Sequence, residues 1–478
     1  MPIEAASRWS RIRILMICCL SLFVVGVDIT IVNVALPTIG ERLDSDLGGL
    51  QWIVDSYTVV MASLLLFSGS MADRFGRRRV FVSGMALFAG ASLLCSLATN
   101  TEQLIVFRML QGAGASMLNP VAMSIITNTF TDPRERAQAV GVWGAVFGIA
   151  MALGPIVGGA LVSAVGWPAI FAINVPIGAV AIALTLRFIP ESKAPHARRF
   201  DPAGQVSVFA LLASITFAII EAPRLGWTSP AVLGAFALSA VALTVLLTVE
   251  GQRAEPLIDL RFFRSTPFAS AIGISLAAFA AFGGFLFLNT LYLQEVRGLS
   301  ALSAGLATAP MALMTVVASP ISGRLVGRHG PRVPLVIAGI GLSLGSAMLL
   351  ATSGGSPMAI LLSAYAVFGL GFGFVNAPIT NTAVSGMPRA QAGVAAAVAT
   401  SSRQVGQTLG VAVFGAIASS HVHATGIGGL ADSAPKAWWL LSALGLLVLA
   451  LGLYSTTARA GDSARRTAEA LNPEALAA

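Results

Sequence analysis

The chain has 478 residues, of which 56% are hydrophobic and only 10% charged, against about 25% charged in an ordinary soluble domain. That composition excludes a water-soluble fold. A formal charge of +8 would suit nucleic acid, but its distribution along the chain points to membrane orientation instead. The three cysteines, Cys18, Cys19 and Cys95, fall inside apolar runs and read as buried thiols.

Arg8, Arg11 and Arg13 precede an apolar stretch from Ile14 to about Leu36. It is too long for a signal-peptide core, contains Asp28 and lacks a small-residue cleavage site, so it reads as a retained first span. At roughly 20 apolar residues per bilayer crossing, the chain offers fourteen candidate spans. They cover 14–36, 51–71, 80–98, 104–129, 138–164, 168–189, 204–222, 231–249, 268–292, 302–323, 333–352, 358–384, 394–419 and 437–457.

With the N-terminus placed inside, 23 of the 29 basic residues fall in inner loops and termini. The outer loops hold Arg42, Arg224, Arg297 and Lys436, while Arg108 and Arg403 lie within spans. This asymmetry predicts an even number of spans with both ends cytoplasmic.

An internal repeat follows. Gly69, Arg74, Gly76 and Arg78, at the inner end of span 2, recur as Gly323, Arg328, Gly330 and Arg332 at the inner end of span 10. Pro133, Arg134 and Gln138 have rough counterparts in Pro388, Arg389 and Gln391, and Asn119-Pro120 in Asn376-Ala377-Pro378. Repeated helix sets build transporters whose halves rock about a midplane site. The expected domains are a six-helix bundle over 1–190, two inserted helices over 191–265, a second bundle over 266–458 and a tail over 459–478.

Gly69-Ser70-Met71-Ala72-Asp73-Arg74-Phe75-Gly76-Arg77-Arg78-Arg79 resembles the loop 2-3 signature of the major facilitator superfamily, and other segments resemble its fourteen-helix drug:proton antiporter branch. The resemblance covers nearly the whole chain. It implies an all-α integral membrane protein of the major facilitator fold, two six-helix bundles plus two inserted helices, working as a monomer. In the family this loop is a cytoplasmic latch. Gly69 and Gly76 would permit a tight turn and close approach, and Asp73 would meet arginines or a helix N-terminus across the interface between halves. The second copy has Gly327 in place of Asp73, which makes any charge latch asymmetric. The plainer alternative is a loop that only orients the chain.

Asp28-Ile29-Thr30-Ile31-Val32-Asn33-Val34-Ala35-Leu36-Pro37 resembles a first-span segment of the same branch. A carboxylate there costs roughly 2.5 to 3.5 kcal/mol on insertion scales, so it should face a cavity or a partner. Arg108-Met109-Leu110-Gln111-Gly112-Ala113-Gly114 resembles the family's arginine motif, implicated there in proton coupling. Span 1 runs outward and span 4 inward. At roughly 1.5 Å per residue both charges lie about 7 to 12 Å below the outer surface, a depth at which neighbouring helices would pair them. Against these stand a purely structural Asp28 and an Arg108 that snorkels to the headgroups.

Gly144, Gly148, Gly154-Pro155 and Gly158-Gly159 resemble the antiporter motif, which implies export, although small residues at this spacing also serve generic helix packing. Arg403-Gln404-Val405-Gly406-Gln407-Thr408-Leu409-Gly410 also resembles the branch, its arginine being either functional or a headgroup contact. Asp55, beside Trp52 and Tyr57, is interfacial or a second coupling acid, and Glu221 reads as interfacial. His421 and His423 are two ligands at most, a weak metal signal.

No phosphate loop is present, so energy is expected from a gradient. The candidate proton-coupling residues are Asp28, Arg108 and Asp55, and the candidate gating residues are Gly69, Asp73, Arg74, Gly76, Arg77, Arg78, Gly154, Pro155, Gly158 and Gly159. Asn33, Gln111, Asn289, Asn376 and Arg403 are expected at the substrate cavity. The expected activity is proton-coupled efflux of small amphiphilic molecules, with protons, substrate and lipid as partners and no cofactor, metal or nucleic acid. A symporter or facilitator on the same fold, and a receptor or lipid-handling scaffold, are the rival readings.

Overall fold

The computed structural model describes residues 8–193, 201–253, 259–352, 355–388, 391–425 and 429–471. His421, His423, Pro133, Arg134 and Arg389 lie outside the residues or side chains so described.

Each expected span is helical. In the first unit these are α1 Arg8–Leu43, α2 Leu47–Phe75, α3 Arg77–Ser96, α4 Thr101–Thr129, α5 Pro133–Ala164, and the broken sixth span, α6 Ala169–Ala172 followed by α7 Asn174–Phe188. The inserted pair is α8 Pro202–Leu225 and α9 Pro230–Gln252. Then come α10 Thr266–Leu291, α11 Ala301–Ala307, α12 Ala309–His329, α13 Arg332–Leu350, α14 Met358–Gly373, α15 Asn376–Val384, α16 Ala392–Thr425 and α17 Gly429–Ser455. Among the described residues, twelve helices are long and apolar enough to cross a membrane; α4 and α16, each with an internal arginine and glutamines, are not among them. The fold is all-α and multi-pass, as the apolar periods require.

Helix starts follow side-chain chemistry. Asp46 accepts the Gly49 N–H at α2, Asn100 the Gln103 N–H at α4 and Asp201 the Gly204 N–H at α8, so backbone donors that the helix cannot satisfy find an acceptor. Gly76 and Gly330, paired by the repeat, both take positive φ, 111° and 76°, in a region closed to residues with a Cβ.

Packing contacts divide the chain into two compact units, 1–200 with 299–306 and 201–298 with 307–478. The inserted pair therefore groups with the second unit, where α8 packs on α16. The tail is more than a polar extension: α18, Ala458–Leu471, turns Ala460, Ala464 and Thr467 inward, and Ser463 Oγ accepts the Thr266 N–H at the start of α10.

Candidate functional site

In the first unit, five helices converge on one carboxylate. Asp28 on α1 is fully buried, and Arg108 on α4 is 1% exposed. Arg108 Nη1 donates to Asp28 Oδ2 at 2.7 Å, and Gln111 Nε2 and Asn174 Nδ2 donate to Oδ1 at 2.8 and 3.1 Å. Arg108 also donates from Nη1 to Gln111 Oε1 at 2.6 Å and from Nε to the Ile53 carbonyl of α2 at 3.1 Å. Its guanidinium lies 4.2 Å over the Tyr57 ring. Ser92 on α3 accepts from Gln111 Nε2 at 2.8 Å. Arg108 thus points inward, so the snorkelling alternative falls: its donors are used by protein acceptors and not by headgroups.

Glycines make this approach possible. A Cβ on Gly112 would overlap the Tyr57 carbonyl, and one on Gly114 would stand 2.5 Å from the Phe88 nitrogen. Their missing side chains let α4 close on α2 and α3, which carries Arg108 and Gln111 to Asp28 and Ser92.

Gln111, expected at a substrate cavity, is fully buried in this network, with its amide committed to Asp28, Arg108 and Ser92. Asp55 is also fully buried, so it contacts neither solvent nor headgroups in this structure. Thr58 Oγ1 donates to its Oδ1 at 3.4 Å, while Oδ2 has no partner. Glu221 is 13% exposed and paired with Arg224 at 2.7 Å. Asn33 is buried and donates to the Ile29 carbonyl one turn earlier on α1.

The α5 glycines divide in two. A Cβ on Gly158 would come within 2.9 Å of the Ile31 carbonyl, one on Gly154 within 3.1 Å of the Val27 carbonyl, and one on Gly159 within 2.5 Å of the Ala301 carbonyl. These three positions, with Pro155 close to Gly305, set the passage of α5 over α1 and α11. Gly144 and Gly148 face open space, so close packing is not what their spacing serves.

At the other end of α2, Glu191 fills the concavity left by Gly76. Its oxygens accept the Arg78 and Arg79 N–H groups at 3.0 and 3.2 Å, capping α3, and Arg77 N–H donates to the Ser192 carbonyl. Arg78 Nη1 reaches the Ile189 carbonyl, and Asp73 pairs with Arg77 at 3.0 Å inside its own loop. Arg74 is exposed on the same turn. Gly69 lies inside α2 with only Pro120 at 3.8 Å from a notional Cβ, so it is not the turn residue that its position in the motif suggested. Gly76→Ala should lower stability by roughly 1–3 kcal/mol, because φ of 111° is strained for alanine and the Glu191 carboxylate must move. A fall in detergent-solubilised Tm checks this; an unchanged Tm refutes it.

Sequence reasoning missed Ser92, Asn174 and Glu191. Asn174 and Ser92 are polar residues inside apolar spans, the signal that singled out Asp28. Glu191 is an acid following the sixth span, opposite in sign to the basic run 77–79.

In the second unit, Asn289 accepts a hydrogen bond from the Tyr365 hydroxyl at 2.5 Å, and its Nδ2 has no partner. Arg403 on α16 donates from Nη2 to Thr380 Oγ1 at 2.6 Å and to the Asn376 carbonyl at 3.5 Å.

The Major Facilitator Superfamily is matched over residues 18–411. The chain is 36% identical over 406 residues to the multidrug resistance protein Stp of Mycobacterium tuberculosis, covering 85% of this chain and 75% of that one. It is 36% identical to the methylenomycin A resistance protein of Streptomyces coelicolor, with 82% of each chain covered. The crystal structure of a D-xylose-proton symporter superposes with a TM-score of 0.65 over 92% of this chain and 97% of that one, at 15% identity, a likeness of fold alone. A fully buried acid–arginine pair on the first and fourth of a repeated set of apolar helices, and sequence kinship over most of the chain, lead to one conclusion: this protein belongs to the Major Facilitator Superfamily.

Proposed function

We propose that this protein exports small amphiphilic or hydrophobic molecules, such as drugs or secondary metabolites, in exchange for protons. The observation that carries the reading is the Asp28–Arg108 pair, two opposite charges taken wholly out of solvent and held by three further polar side chains. A protein gains little stability from such a pair compared with apolar packing, whereas an intramembrane acid beside an arginine suits proton relay. Protonation of Asp28 cancels its charge and leaves Arg108 an uncompensated cation. That state favours a rearrangement in which Arg108 finds another acceptor, and a bound cationic substrate disfavours it. Proton and substrate then compete, which is the requirement for antiport.

Asp55, buried with no ion-pair partner among the described residues, is the second proton-binding candidate: a proton there avoids burying an unpaired charge. The bundles 1–190 and 266–458 are the rocking halves, 191–265 the insertion and 459–478 the tail. The loop from Asp73 to Arg79 with Glu191 latches the cytoplasmic side. The distribution of basic residues supports both termini in the cytoplasm, and the family resemblance supports a monomer in the plasma membrane. The names of the relatives, which speak of resistance and multidrug resistance, support export over import.

Ethidium retention in pump-deficient bacteria tests the reading. Expression should lower steady-state ethidium several-fold, and a protonophore should abolish the difference. Equal retention with and without the protein, or efflux indifferent to the protonophore, would sink it; higher accumulation on expression would mark an importer.

A further inference from the structure

Arg403 lies well inside α16, and no ion pair among the described residues supplies it with a counter-charge. Between Thr266 and Tyr454 the sequence holds two acids, Glu295 and Asp432. Arg403 stands 6.0 Å from the Phe279 ring of α10. Glu295 follows Phe279 by about sixteen residues, roughly 24 Å along a helix axis, and Asp432 opens α17 beyond the far end of α16, about twenty residues or roughly 30 Å away. Elsewhere in the unit Asp201, Glu221 and Asp259 pair with Arg253, Arg224 and Arg261, while Glu250 lies in the last turn of α9 and Asp462 and Glu469 on α18, and none of these is in an ion pair with Arg403.

The partners that Arg403 does have are neutral, namely the Thr380 hydroxyl and the Asn376 carbonyl. Its Nε is buried without a hydrogen bond. The side chain is only partly buried, and Thr380 beside it is exposed, so the fork is accessible. An accessible guanidinium in a membrane helix faces a water-filled passage or an anion rather than acyl chains. Its planar set of donors matches a carboxylate two-pronged, and the Phe279 ring adds an aromatic surface next to it.

We propose that Arg403, with Thr380 and Phe279, forms an oxyanion subsite that takes the carboxylate or phenolate oxygen of an amphiphilic substrate, making organic anions a class that this protein carries. The assignment rests on the export reading for its role in transport, but not for binding. An incoming carboxylate accepts from the Nη2 now turned to Thr380 and from the Nη1 beside it, and the pair so formed supplies the missing counter-charge. The same chemistry would accept a phospholipid phosphate if Arg403 reaches the headgroups.

Equilibrium dialysis of the purified full chain in dodecyl maltoside, with 2-naphthoate and its neutral amide 2-naphthamide, tests the subsite. A hydrogen bond to a charged group corresponds to about a tenfold preference or more, so the wild type should bind naphthoate at least about tenfold more tightly. Arg403→Gln should erase the preference, and Arg403→Lys should keep a reduced one, since lysine retains the charge but not the fork. A wild type that binds both alike, or a preference that survives in Arg403→Gln, overturns the subsite. Phosphatidylglycerol that displaces naphthoate from the wild type without displacing naphthamide also overturns it, in favour of a lipid headgroup site. Failure of the export reading looks different: cells would not extrude ethidium, while the purified protein would still discriminate naphthoate from naphthamide.

Discussion

Asp28→Asn is expected to reduce proton-driven ethidium efflux to the level of cells lacking the protein. The substitution keeps the volume of the side chain but turns one of the two oxygens that accept from Arg108, Gln111 and Asn174 into a donor, and it removes the group that gains and loses a proton. The decisive measurement is substrate binding as a function of pH. If one proton competes with one substrate, apparent affinity in the wild type should weaken as pH falls, by up to about tenfold per unit across the titration range. The Asp28→Asn protein should bind with a flat profile. Wild-type efflux from the variant, or a pH dependence that persists in it, would move the coupling proton elsewhere, with Asp55 the next acid to replace.

Arg108→Ala should have the larger effect on the fold. It strips the counter-charge from a fully buried carboxylate, empties the space over the Tyr57 ring and frees the Ile53 carbonyl. Breaking one side of a buried pair costs about 3–5 kcal/mol, and the vacated volume adds to that. We expect a marked drop in Tm and poor yield in detergent. Neutralising both partners should hurt less: in Asp28→Asn/Arg108→Gln no charge is left unpaired, so the loss of stability should be smaller than the sum of the two single losses, with efflux still absent. Additive losses would show that the two side chains are not energetically coupled.

Much of the architecture was legible because a bilayer imposes a simple rule on sequence. Helix length, apolar content and the inner bias of Lys and Arg all follow from it, and the repeat at Gly76 and Gly330 is visible because a positive φ needs glycine. The meeting of Asp28 and Arg108 could be anticipated from depth together with the family resemblance, which makes spans 1 and 4 neighbours, since two charges at matching height on neighbouring helices have few other places to go. Other features were hidden for physical reasons. Asn174 and Ser92 are neutral, and polar residues in spans are common, so nothing in the sequence tied them to Asp28 until the helices were placed. Glu191 lies 113 residues from the backbone N–H it caps at Arg78, a separation over which local pattern carries no information. Spacing also misled: Gly144 and Gly148 share the four-residue interval of Gly154 and Gly158, yet only the latter pair meets α1. The burial of Asp55 could not be read from the sequence, because the approximate start of a span does not say which side of the helix meets protein.

Cys95 Sγ lies 3.8 Å from Gln111 Oε1, the same oxygen that accepts from Arg108. All three thiols of the chain are buried, so alkylating reagents should find the resting protein inert. A motion that parted Asp28 from Arg108 would free Gln111 and is expected to expose Cys95 to alkylation, whereas Cys18 and Cys19 belong to the packed interior near the start of α1. The chain therefore carries a native chemical clock for hydration of its charged centre, with two internal references, and footprinting by maleimide needs no engineered cysteine.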